Sequence, residues 1–135
     1  MAKDYKINEG NMIGAMPAEF DANTNLQQKI LKASADVKKG QVVVISGDMT
    51  VAPSTEASAS VLGVAMFDAK AGEPVSVETE GLFRLTASGA ITAGAQVESA
   101  ADGKVATKGD TVTKVIGIAL NTAPNGGEVF VKFSI

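Results

Sequence analysis

Apolar and polar residues alternate along much of the chain with a period of two, in short runs closed by glycine, proline or aspartate. That pattern predicts short β-strands joined by tight turns. Val75-Ser76-Val77-Glu78-Thr79 alternates in this way, as does Val129-Phe130-Val131-Lys132-Phe133 near the carboxyl end, so both are expected to be half-buried strands. Val42-Val43-Val44-Ile45 is a continuous β-branched run, the pattern of a buried strand, and Gly47-Asp48 closes it with hairpin chemistry. Val61-Leu62-Gly63-Val64-Ala65 and Val115-Ile116-Gly117-Ile118-Ala119 are apolar runs with a central glycine. A glycine there marks a bend or a backbone approach too close for a side chain. Gly72-Glu73-Pro74 then turns the chain.

These runs recur at a fixed offset of 54 residues. Gly40, Gly63 and Gly72 match Gly94, Gly117 and Gly126, and Leu31, Ala33, Val43, Val51, Ala65 and Val77 match Leu85, Ala87, Val97, Val105, Ala119 and Val131. Residues 27–80 and 81–134 share fifteen identities without a gap, where this composition gives about five by chance. Conservative pairs extend the match: Val37 with Ile91, Leu62 with Ile116, Val64 with Ile118 and Met66 with Leu120 fall where a core face is expected. The chain is read as a tandem duplication.

The repeat also decides one ambiguous segment. Asn25 to Ala33 could begin a helix, since Asn25 with Gln28 forms a weak capping box and Leu26 and Ile30 share a helical face. Its partner, Leu82-Phe83-Arg84-Leu85-Thr86-Ala87, alternates like a strand, and copies of one unit share secondary structure. Both are therefore read as strands. The predicted fold is all-β: a compact β-barrel or sandwich built from two pseudo-repeats, 27–80 and 81–134. An extended N-terminal arm, residues 1–26, precedes this β domain at 27–135. The arm carries Tyr5, Ile7, Met12, Ile13, Met16 and Phe20 among glycines, asparagines and a proline, with neither period sustained. Those side chains need burial. Either they cover an open end or edge of the barrel, or they order on a partner with Met12, Met16 and Phe20 as anchors.

Composition narrows the chemistry. The 135 residues are 45% hydrophobic and 20% charged, the balance of one globular domain able to bury a core without metal or disulfide staples. Cysteine and histidine are both absent, which removes thiol nucleophiles, imidazole bases and Cys/His zinc sites. Arg84 is the only arginine and the net charge is −3, so no basic footprint for nucleic acid is present. The first residues lack the apolar stretch of a secretory signal, and no run approaches the roughly 20 apolar residues of a membrane span. Synthesis in a cytoplasm and no membrane partner are expected.

Catalytic constellations fare no better. Asp48, Asp102, Asp110, Glu56 and Glu98 form no calcium-loop array, and Asp48 and Asp102 recur at turn positions. Ser46, Ser54, Ser58, Ser60 and Ser88 have no histidine, and no motif supports a dyad with Lys32 or Lys38. Glycines never form a phosphate-cradling loop. A biotin- or lipoyl-carrier reading would need a displayed lysine. Its nearest candidate, Asp68-Ala69-Lys70-Ala71, has the wrong order, and proline stands at the paired position 124. No enzyme, cofactor or metal is expected.

Taken in order, three pieces resemble a known family: Val37-Lys38-Lys39-Gly40-Gln41-Val42-Val43-Val44, Val61-Leu62-Gly63-Val64-Ala65, and Ala71-Gly72-Glu73-Pro74 running through Val75-Ser76-Val77-Glu78-Thr79-Glu80-Gly81 to Leu82-Phe83. The pattern returns as Ile91-Thr92-Ala93-Gly94, Gly103-Lys104-Val105 and Val115-Ile116-Gly117-Ile118-Ala119. Over residues 27–135 the chain is similar to the head decoration, or capsid cement, proteins of tailed bacteriophages. The resemblance implies a non-enzymatic virion protein on the outer surface of the expanded capsid, clamping neighbouring capsomers of the major capsid protein. It further implies self-association as a homotrimer at three-fold positions. The arm, through Tyr5, Ile7, Met12, Ile13, Met16 and Phe20, would touch the shell or a neighbouring subunit. The competing reading is another phage module, from a tail tube or a surface-binding domain; the lack of tryptophan and the single tyrosine weigh against sugar binding.

Overall fold

Among the described residues the period-two pattern becomes ten short strands. The computed structural model describes residues 31–109 and 114–134, within a unit spanning Leu31–Ile135. The strands are β1 (Lys32–Ala33), β2 (Val42–Gly47), β3 (Thr50–Pro53), β4 (Val61–Ala65), β5 (Val77–Glu78), β6 (Glu80–Thr86), β7 (Gln96–Ser99), β8 (Val105–Thr107), β9 (Gly117–Ala119) and β10 (Glu128–Ser134). A single 3-10 turn, Ala101–Gly103, is the helical element among the described residues. The all-β prediction holds, and the repeat shows directly in the topology. One five-stranded sheet runs β1-β3-β2-β4-β5 and the other β8-β7-β9-β10-β6.

Backbone hydrogen bonds repeat at the offset of 54. Val37 N–H donates to Ala69 O at 2.7 Å and Ile91 N–H to Ala123 O at 2.9 Å; Gly40 N–H donates to Ala65 O at 2.9 Å and Gly94 N–H to Ala119 O at 2.8 Å. Met66 N–H to Ser76 O and Leu120 N–H to Phe130 O follow the same rule. The segment first read as helix or strand is extended where it is described. Lys32–Ala33 and Glu80–Thr86 are strands, and residues 25–30 lie outside the described residues.

Each half closes on itself. β6 pairs antiparallel with β10 along its whole length, and the next residue, Ala87, bridges Val105 of β8 in parallel. In the first half Ala33 pairs in parallel with Val51 of β3, while Lys32 bridges Pro74 and Leu31 O accepts from Val75 N–H. One segment thus satisfies both edges of its sheet, and closure removes exposed ladder groups.

The interiors are two aliphatic clusters. Leu31, Ala33, Val37, Val43, Val51, Ala65, Ala69, Val75 and Val77 fill the first half. Their equivalents Leu85, Ala87, Ile91, Val97, Val105, Ala119, Ala123, Val129 and Val131, with Ile116 and Phe133, fill the second. Phe133 packs edge-on to Phe83 with ring centroids 5.8 Å apart. Three first-half residues, Val42, Val61 and Val64, belong to the second cluster, so the outer face of the first sheet is covered by the second half. Polar groups stitch the same seam. Ser54 Oγ donates to Ala100 O at 2.7 Å, and Ser99 Oγ donates to Glu56 O at 2.8 Å while accepting from Ser58 N–H at 2.9 Å.

Two expectations need correcting. Ile118 and Leu120 were placed on a core face through their pairing with Val64 and Met66, yet they are 46% and 49% exposed. Gly117 and Ala119 take the inward positions on β9, and strand neighbours point to opposite faces. Val64 is buried because the second half packs on it, a cover that the second half itself lacks. Ile45, read as part of a buried run, is also exposed, at the solvent end of β2.

The central glycines mark close backbone approach. A Cβ at Gly63 would run into the Glu78 carbonyl and lie 2.7 Å from Val77 Cγ1; at Gly117 it would run into the Lys132 carbonyl and lie 2.7 Å from Val131 Cγ1. Gly72 and Gly126 instead have φ of 90° and 80° and open space around them. Gly63→Ala and Gly117→Ala are expected to lower unfolding free energy by about 3 kcal/mol, at the upper end for overpacking. Gly72→Ala and Gly126→Ala should cost only about 1–2 kcal/mol of backbone strain. Urea unfolding of the four variants checks the order, and equal losses would mean that the close approach is not the stronger constraint. Ser99→Ala removes the partner of the Ser58 N–H and is expected to cost about 1–3 kcal/mol. An unchanged urea midpoint would show that the seam gains nothing from this hydroxyl.

Candidate docking surface

Several polar side chains hold turns. Asp68 Oδ1 accepts from Lys39 N–H at 2.8 Å, and at the equivalent place in the second half Thr122 Oγ1 accepts from Ala93 N–H at 3.1 Å. A hydroxyl does in one copy what a carboxylate does in the other, so the bond is a turn cap and needs no charge. Asp36 Oδ1 accepts from Ala71 N–H, and Glu73 Oε1 from Lys70 N–H, in the same manner. Asp48 lies in the β2–β3 turn just before Met49 (φ 51°), and Asp102 takes a φ of 59° in the 3-10 turn. Glu56 is exposed and Glu98 is buried on β7; Asp110 lies outside the described residues. No three acidic side chains come together as a metal site among the described residues.

The serines are committed as well. Ser54 and Ser99 bond across the seam, and the hydroxyls of Ser34 and Ser46 bond each other at 2.7 Å. Lys70 sits exposed on its turn, beside a small cleft of about 280 Å³ lined by Asp36, Lys38, Asp68 and Glu73. That cleft mixes both charges and has no buried polar side chain aimed into it.

What the surface does offer is apolar area. In the first half Ile45 and Met49 flank the β2–β3 turn and Phe67 stands 66% exposed on a loop. The second half has a larger group. Leu82 on β6, Phe130 on β10, Ile118 on β9 and Leu120 just beyond it are 46–68% exposed. Register places them together: Arg84 faces Phe130, Leu82 faces Lys132, and Lys132 faces Ile118. Leu82, Phe83, Arg84, Leu120 and Phe130 line a shallow cleft of about 320 Å³. Arg84 and Glu128 form an ion pair of 3.5 Å at the rim, with both side chains about two-thirds exposed. Such a pair contributes under about 1 kcal/mol.

The arm residues singled out from the sequence, Tyr5, Ile7, Met12, Ile13, Met16 and Phe20, lie outside the described residues. The apolar face of β6, β9 and β10 was not singled out. Its signal was present: Phe130 and Leu82 are large apolar residues in the solvent phase of strands whose other phase is already apolar.

A family model described as phage cement protein matches residues 22–135. The chain belongs to the phage cement protein family, and it is a structural, capsid-associated phage protein. No curated protein sequence matches it. A solved structure, the head fiber gp8.5 N base in bacteriophage phi29, is similar in fold, with 21% identity and a TM-score of 0.62 over 77% of this chain and 90% of that one.

Proposed function

We propose that the protein binds the outer surface of the expanded capsid and clamps neighbouring capsomers of the major capsid protein, as a homotrimer at three-fold positions. The observation that carries this reading is the family match across residues 22–135. It acts as a ligand of the shell and catalyses nothing. After synthesis in the host cytoplasm it joins the assembled head. The β domain at 27–135 supplies a rigid body. The arm at 1–26 reaches a capsid subunit or a neighbouring copy through Tyr5, Ile7, Met12, Ile13, Met16 and Phe20.

The mechanism is mass action on a lattice. A packaged genome presses outward, and a ligand that binds only the expanded arrangement stabilises it by RT ln(1 + [L]/Kd) at every junction. At a hundredfold excess over Kd that is about 2.7 kcal/mol per site. No single contact has to be strong.

Co-sedimentation of the purified protein with undecorated expanded shells of its phage is expected to show saturable binding, with no binding to unexpanded procapsids. Equal binding to both would remove selectivity for the expanded lattice, and binding to neither would remove the cement role. Deleting residues 2–20 should leave a folded β domain whose shell binding falls at least tenfold in the same assay. Undiminished binding by the truncated chain would remove the arm from the contact.

A further inference from the structure

The first half shows what covers a sheet face of this kind. Val64, the repeat equivalent of Ile118, is 2% exposed because it packs into the second-half core. Met66, the equivalent of Leu120, is half-buried and lines, with Val64, a groove whose far wall is Leu82 to Thr86. One module thus buries the outer face of its fourth strand under the next module. On the second module the same positions, Ile118 and Leu120, are bare and continue into Leu82 and Phe130. Leu82 belongs to both the inter-module groove and the bare face, so the established seam runs on into the uncovered surface.

Charge points to the same occupant. The solvent positions of β6 and β10 include Glu80, Arg84, Glu128 and Lys132 around the apolar group, two acids and two bases. These four charges on β6 and β10 cancel, in a chain of net charge −3. The face selects neither an acidic nor a basic partner, and it can meet opposite charges on a copy of itself. We propose that the face formed by Leu82, Ile118, Leu120 and Phe130 is the contact through which copies of this chain assemble. The inference specifies the self-association in the cement reading and is independent of whether the assembly binds a shell.

Phe130→Asp and Leu120→Asp place a charge on side chains that are half exposed, so both variants should fold, as far-UV circular dichroism verifies. In sedimentation velocity at micromolar concentration the full-length chain is expected to be oligomeric. Either variant should weaken association at least tenfold, whereas Met49→Asp, on the other exposed apolar group, should not. A second readout uses the absence of cysteine in the chain. Maleimide should label Leu120→Cys several-fold more slowly than Phe67→Cys in the assembled protein, and the two rates should converge on dilution to monomer.

A monomeric wild type, an aspartate variant that assembles like wild type, or equal labelling of the two cysteines would overturn the proposal. Variants that stay assembled but lose shell binding would also overturn it, assigning the face to the shell. Loss of assembly in the variants, with a wild type that binds no shell, would support this contact and defeat the cement reading instead.

Discussion

The structure depends on one segment in each half that hydrogen-bonds at both edges of its own sheet. In the second half β6 runs the length of β10 and its continuation at Ala87 meets Val105 of β8. Residues Leu31 to Ala33 do the same between Val75 and Val51 in the first. Short strands alone would leave rows of unpaired backbone groups, each costing about as much as a lost hydrogen bond if buried. Closure answers that cost and forces the strands to curl tightly. Tight curling brings the fourth strand so close to its neighbour that Gly63 and Gly117 have no room for a Cβ. Valine and alanine make up most of the two interiors, in keeping with that close approach.

Duplication then sets a second constraint. Two copies of one module can share every internal contact but cannot share an environment, because one face of the first is covered by the second. Several of the sequence differences fall there. Val42 and Val44 on the covered face of β2 correspond to Gln96 and Glu98 on β7. Ser54 and Ser99, which bond across the seam, correspond to Lys108 and Ile45. Symmetry is kept where the backbone demands it and lost where the two halves meet.

This explains what could be read from the chain. The offset of 54, the glycine positions and the period-two runs are local or self-referential signals, so the strands, the two halves and most of the core were legible. Val37, Val43, Val75, Ile91, Val97 and Val129 are buried as their pattern implies. Ile118 was misplaced for a physical reason: the repeat predicts the residue type from Val64 but says nothing about which copy has a neighbour on that face. The turn role of Asp68 rests on the fold, where Thr122 makes the same bond in the other half. A surface face has no spacing rule of its own: Leu82, Ile118 and Phe130 on three strands, with Leu120 just beyond β9, adjoin only after folding.

The proposed reinforcement of a lattice would need shape and modest affinity at many sites rather than a reactive group at one, and two features of this fold suit that role. Among the described residues one segment bridges both edges of each sheet, which limits the strand edge open to stray chains and would leave association to side-chain faces. Four exposed apolar side chains on one face carry an energetic cost while they stay in water. In the proposed role each such contact can be weak by itself: repetition around the lattice would make many of them hold together, because a subunit released at one contact would be retained by its others and rebind before it could diffuse away.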